Sequence, residues 1–234
     1  MNKMNAFGLP TNIILIADPA ILAVDIIDNN EPMIDLTNQT AIAIGPSPEI
    51  PNNRDYTKIR KTVYEKLMLA QTLLPKGIYF CLYEGYRSLS LQKILFNTRL
   101  EIVRKEYPHW SPDDIFTEAT KIISPIINQD GTNNIPPHST GGAIDVYLIN
   151  DKGESLDMGI HPKDWQEDND GSLSLTASTF ISDEAQKNRS LMSSVLEKVD
   201  FVNYPTEYWH WSYGDRYWAY HKNEARAIYG SVYN

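Results

Sequence analysis

Cysteine is nearly absent from this chain of 234 residues: Cys81 is the single one. A lone thiol excludes an internal disulfide framework. It stands in the apolar run Ile78-Tyr79-Phe80-Cys81-Leu82-Tyr83, where a buried small hydrophobe is expected rather than a catalytic thiol. Basic charge is also short, with 21 Lys and Arg against 30 Asp and Glu and a formal net charge of −9. That field repels a phosphate backbone, so no nucleic-acid partner is expected. Long apolar runs are missing as well. The early stretch 13–16 is broken by Asp18 and Pro19, too short for a leader core or a membrane span. A cytoplasmic location is therefore the default expectation, and a periplasmic one stays open for a chain whose leader has been removed. No internal repeat or low-complexity linker divides the sequence, and Gly141-Gly142 lacks the Lys-Ser/Thr that a phosphate loop needs.

What is present is the composition of a globular domain, 42% apolar and 22% charged. One domain over residues 1–234 is expected, its first 54 residues being the least defined part. Residues 1–54 alternate short apolar runs (12–17, 21–27, 41–44) with turn formers. They end in a stretch, 45–53, whose prolines Pro46, Pro48 and Pro51 deny a strand its donors. Ile59, Val63, Leu67, Ala70 and Leu74 recur at spacings of three and four, which predicts a helix over 55–74 closed by Pro75 and Gly77. A buried strand is expected over 77–84, a helix from Ser88 to about 106, and a shorter helix opened by Ser111-Pro112-Asp113-Asp114. Strand character returns over 143–148. A long polar segment, 150–181, follows, then a helix from about 183 to 199, an aromatic β-like segment over 201–220 and a closing helix over 222–229. Loops as long as 150–181 are uncommon without a function. The fold class expected is α+β, a mainly antiparallel sheet flanked by helices.

Five histidines limit where metal or general-base chemistry can sit. His138 opens His138-Ser139-Thr140-Gly141-Gly142-Ala143-Ile144-Asp145, in which two glycines permit a tight turn before a strand that carries Asp145. Glu207 precedes His210 by three residues, a spacing that unites both side chains only if the segment turns. Two imidazoles and a carboxylate form a three-ligand set for a catalytic zinc with a fourth position open to water, and a glutamate outside the ligand set can take that water's proton. Each piece alone has a plainer reading, a hydrogen-bonded histidine or an ordinary turn. The conjunction is what points to water activation.

These two motifs resemble the zinc signatures of the D-alanyl-D-alanine metallopeptidases, the group that includes the vancomycin-resistance dipeptidases and carboxypeptidases. Glu84-Gly85-Tyr86-Arg87, Leu156-Asp157-Met158-Gly159, Asn188-Arg189 with Leu191-Met192, and the run from Phe201 to Tyr220 lean toward the D-Ala-D-Ala dipeptidase branch. The likeness spans roughly residues 55–220 in order. It implies one zinc per chain bound by His138, Asp145 and His210, with Glu207 as general base and acid and Arg87 stabilising the transition state. A guanidinium placed at a developing oxyanion is worth about 2.7–4 kcal/mol. Without the resemblance, Arg87 after Gly85-Tyr86 reads as a surface ion pair. The implied substrate is a small D-amino-acid dipeptide or a muropeptide; oligomeric state is not implied.

Two departures bear on substrate. Pro136 stands where the family pattern has a serine, which removes a hydroxyl beside the metal motif. The acid that meets the substrate ammonium has no aligned counterpart, leaving Asp164, with an offset, and Asp157 as candidates. A free dipeptide needs its ammonium paired in a closed cavity; a D,D- or L,D-carboxypeptidase acting on peptidoglycan stems leaves that end open. A non-catalytic zinc-containing binding module is the alternative outside enzymes, and the presence of both Glu207 and Arg87 argues against it.

Overall fold

The computed structural model describes residues 13–48, 53–168 and 170–232. The extreme N-terminus and residues 49–52 of the proline-rich stretch lie outside the described residues. The strands are β1 (Met33–Asp35), β2 (Ala43–Ile44), β3 (Lys58–Arg60), β4 (Ile78–Glu84), β5 (Ala143–Asn150), β6 (Val202–Asn203) and β7 (His210–Ser212). The helices are α1 (Pro19–Leu22), α2 (Lys61–Leu73), α3 (Leu89–Glu106), α4 (Pro112–Thr120), α5 (Asp183–Lys198) and α6 (Arg216–Lys222). The main sheet runs β2-β4-β5-β7-β6, antiparallel except for the parallel pair β2/β4; β1 and β3 form a separate antiparallel pair. This is the expected α+β architecture.

The two faces of β5 divide the molecule. Ile144, Val146 and Leu148 point into the main core with Phe80 and Leu82 of β4, under Val63, Leu67 and Ala70 of α2 and Met192, Val195 and Leu196 of α5. Each large aliphatic buried there contributes about 1.5–3 kcal/mol. Asp145, Tyr147 and Ile149 take the opposite face by the two-residue strand period, Tyr147 and Ile149 packing with Cys81 and Tyr83. Cys81 is buried, its thiol donating to the Tyr147 hydroxyl at 3.1 Å, as a structural hydrophobe would be. α3 and α4 close a smaller core of Phe96, Val103, Ile115, Ala119 and Ile123.

Three helices start where serines cap them: Ser88, Ser111 and Ser182 accept from the backbone amides of Leu91, Asp114 and Ala185. Two segments differ from the sequence expectation. Residues 55–60 are not helical: a 3-10 turn, Asp55–Thr57, leads into β3, because Ile59 pairs with Ile34 across β1 and Tyr56 and Lys58 give their carbonyls to Gly85 and Tyr86. The last helix lies earlier than 222–229. Asp215 caps α6 at its start and Asn223, at φ 57°, ends it in the left-handed conformation, so residues 216–220 are helical rather than β-like. The residues that follow leave the helix for a bridge from Ala227 to Ile26. Among the described residues no helix is long and apolar enough to cross a membrane.

Candidate metal and catalytic site

His138 sits in a 3-10 turn, Pro137–Thr140, entered through Pro136 and left through Gly141 at φ 70°. Proline costs no donor at the head of such a turn, and Gly141 supplies the positive φ that feeds the chain into β5. Gly142 is required for closeness: a Cβ there would collide with the Tyr213 carbonyl just past the end of β7. Three residues into β5 comes Asp145, paired in register with His210 of β7. His210 follows two consecutive turns, in which the Glu207 amide donates to Tyr204 O at 2.9 Å and the His210 amide to Glu207 O at 3.0 Å. The expected turn between Glu207 and His210 is therefore present. Asn203 braces it, its side-chain amide donating to His210 O at 3.0 Å and Glu207 O at 3.3 Å.

The donor atoms converge. His138 Nε2 lies 3.1 Å from His210 Nδ1 and 3.3 Å from Asp145 Oδ1, and His210 Nδ1 lies 3.0 Å from the same Oδ1. All three residues are buried, and among the described residues they are the group able to hold a metal ion. The tautomer of His138 follows from its other nitrogen. Nδ1 is 2.8 Å from the Gly85 carbonyl, which only accepts, so Nδ1 carries the hydrogen and Nε2 turns a lone pair toward the cluster. Two imidazole nitrogens and a carboxylate oxygen facing one point need a positive species between them, a shared proton or a cation. Burial disfavours charge on His138, yet the Asp145 carboxylate outweighs it and raises the imidazole above its ordinary range. Burial likewise opposes charge on Asp145, and the two histidines beside it bring its carboxyl well below the ordinary range. A dication is the stronger solution to the same electrostatic demand, and a mixed nitrogen and oxygen donor set of three suits zinc with one position open.

Around this centre stand the other expected residues. Glu207 is half-buried at the turn, and desolvation, offset partly by His210 and Arg87 and reinforced by Asp145, pushes its carboxyl up to about 7. Arg87 extends from the segment after β4, its backbone amide donating to His138 O at 3.2 Å. Its guanidinium grips Glu84 through Nε (2.7 Å) and Nη2, and reaches Gln92 Oε1 from Nη1 at 3.0 Å. Arg87 is thus not a surface ion pair. The two acids expected for substrate binding stand outside the triad, in different settings. Asp157 is exposed, its oxygens accepting from the Gly159 amide and the Ser182 hydroxyl. Asp164 lies on the 3-10 turn Pro162–Glu167, next to His161, whose ring meets Tyr147 at 4.5 Å on the Asp145 side of the sheet.

Sequence reasoning placed Glu84 and Gly85 in a motif without giving either a role, and it did not find Gln92. Gln92 left a signal, a polar residue one turn before Phe96 on the buried face of α3. Gly85 left another: a Cβ there would meet Lys58 O at 2.5 Å, so only glycine lets this strand end approach β3 and offer its carbonyl to His138.

A buried triad of two imidazoles and a carboxylate, with an acid and a guanidinium at its edge on an α+β scaffold, has the residue types of a metal-dependent hydrolase site. The chain belongs to the D-Ala-D-Ala dipeptidase family of metallopeptidases, whose pattern matches residues 56–227. A D-alanyl-D-alanine dipeptidase of Synechocystis sp. is 26% identical over 90% of this chain and 96% of its own length. Among solved structures, the LD-carboxypeptidase LdcB aligns with 95% of this chain and 90% of its own at 16% identity and a TM-score of 0.38. VanY, a vancomycin-resistance D,D-pentapeptidase in complex with Zn(II), aligns with 77% and 86% at 16% identity and a TM-score of 0.33.

Proposed function

We propose that this metallopeptidase is a zinc-dependent D-alanyl-D-alanine dipeptidase that hydrolyses D-Ala-D-Ala to two D-alanines. The observation that carries the reading is the convergence of His138 Nε2, Asp145 Oδ1 and His210 Nδ1 on one buried point, with Glu207 and Arg87 beside it. Membership of the dipeptidase family and the dipeptidase relative support the substrate class.

In this proposal His138, Asp145 and His210 hold one zinc per chain. When bound, the ion supplies Lewis-acid polarisation of the scissile carbonyl and makes a water acidic near neutral pH. Glu207 would take a proton from the attacking water and pass it to the departing amine. Desolvation raises this carboxyl above the ordinary carboxylate range, which makes it a stronger base for the first half of the task and a ready proton carrier for the second. Arg87 stabilises the negative charge that grows on the carbonyl oxygen. For the substrate ammonium Asp164 is favoured over Asp157, whose two oxygens are already engaged with Gly159 and Ser182.

The test is release of D-alanine from D-Ala-D-Ala and, in parallel, from an N-acetylated tripeptide ending in D-Ala-D-Ala, each with zinc and with the metal removed. Zinc-dependent cleavage of the free dipeptide alone is expected. Cleavage of the blocked peptide instead makes the protein a carboxypeptidase with an open cleft, and metal binding without turnover of either makes it a binding module.

A further inference from the structure

Glu84 is almost completely buried, 1% exposed, at the C-terminal end of β4. An unpaired carboxylate there would cost several kcal/mol, so its position asks for a reason. Regular antiparallel pairing sets Leu82 against Val146, and continuing it would place Tyr83 against Asp145. Instead the register shifts between Leu82 and Glu84, and Glu84 comes opposite Asp145. Such a bulge turns an extra side chain toward the face of its partner. The consequence is two buried carboxylates side by side, an unfavourable cross-strand pair unless each is compensated separately. Asp145 shares with the two histidines the cation or proton that their convergence calls for, and Glu84 is paired separately with Arg87.

The pairing is more specific than charge neutralisation requires. Both Glu84 oxygens are used, one by Arg87 Nε at 2.7 Å and the other by Nη2, the side-on bidentate mode that fixes the plane of a guanidinium. The third grip, Gln92 Oε1 on Nη1 at 3.0 Å, is itself held: Gln92 Nε2 donates to the Ser124 carbonyl at 2.6 Å, so its oxygen end faces Arg87. Glu84 and Gln92 come from different elements, β4 and α3, and are both buried. A long, flexible arginine is thereby held rigid before substrate arrives, and preorganised charge is what makes a transition-state donor effective.

We infer that Glu84, assisted by Gln92, is a positioning residue that acts through Arg87, fixing the guanidinium that the proposed reaction uses. The inference rests on the function proposed above for Arg87. Its test is a double-mutant cycle on the zinc-loaded full chain, using whichever of the two peptide substrates is hydrolysed. Arg87→Ala should lower kcat by about 10²–10³-fold. Glu84→Gln should lower kcat by about tenfold or more with a smaller change in KM, leave zinc affinity unchanged, and have less than about a twofold further effect once Arg87 is alanine. Glu84→Asp should recover part of the loss, and Gln92→Ala should lower kcat in the same sense. If Glu84→Gln does not fold, the same cycle run with Gln92→Ala decides the matter. Additive losses in the double variant, or a fall in zinc affinity with Glu84→Gln, overturn the positioning role. An Arg87→Ala variant with unaltered kcat overturns the function proposed for Arg87, a result distinct from either of these.

Discussion

The Glu207 carboxyl, raised to about 7 mainly by desolvation, marks the residue where charge is least settled. Its working form as a base is the carboxylate, so activity falls as pH drops through its pKa. A bound dication favours the charged form and moves that limb below 7. Glu207→Gln keeps the shape and removes the proton acceptor; kcat should fall by about 10²–10⁴-fold while zinc stays bound, since Glu207 is outside the ligand triad. Kinetics against pH, with metal content measured on the same samples, checks both statements. Zinc loss in the Gln variant, or an acid limb that survives the substitution in the residual activity, would sink the assignment.

At the scale of elements, one side chain of α5 makes several of the bonds that tie down the long segment 150–181. Arg189 of α5 is buried and donates to the carbonyls of Met158, Leu173 and Leu175, with its guanidinium 3.9 Å from the Tyr208 ring centroid. Burial lowers its pKa only to about 10, so the charge persists at neutral pH. Asn188 adds a bond to Asp157 O at 2.8 Å. The Leu156–Gly159 and Asn188–Met192 motifs thus meet as a tether between loop and helix. Arg189→Ala strands several carbonyls and should cost about 3 kcal/mol, read as a lower urea midpoint, with faster proteolysis within 150–181. Helices with a capping serine and an apolar stripe, such as α3 and α5, were legible in the sequence because those signals are local. β3 and the true limits of α6 were not, since Ile59 fits a helical stripe as well as a strand and only the pairing with β1 decides. The triad was legible as residue types and turn spacing. Glu84 stood out only as part of a motif, and its place opposite Asp145 was not legible, because a one-residue register shift leaves no mark in composition or period.

Across the whole molecule, Arg60 joins segments that are far apart in the chain. Its Nε donates to Thr140 O at 2.8 Å, Nη1 to Glu31 O at 2.6 Å, and Nη2 to Asp28 Oδ2 at 2.7 Å and Gly230 O at 3.2 Å. Glu31 extends the network to Thr62 and to the Tyr229 hydroxyl at 2.9 Å. The early residues, the end of β3, the His138 turn and the C-terminal segment therefore meet on one buried guanidinium. Removing one partner of a buried pair is far more costly than removing an exposed one. Arg60→Ala should destabilise the chain by about 3 kcal/mol. Because Thr140 lies two residues from His138, zinc affinity should weaken in the same variant. Arg104→Ala is the matched control: its ion pair with Glu101 has more than half of each side chain exposed, so its effect should stay below about 1 kcal/mol with zinc affinity unchanged. Denaturant titrations and zinc competition on both variants distinguish a network that supports the metal turn from one that only ties the chain ends. In the second case Arg60→Ala loses stability while the folded fraction binds zinc as tightly as before.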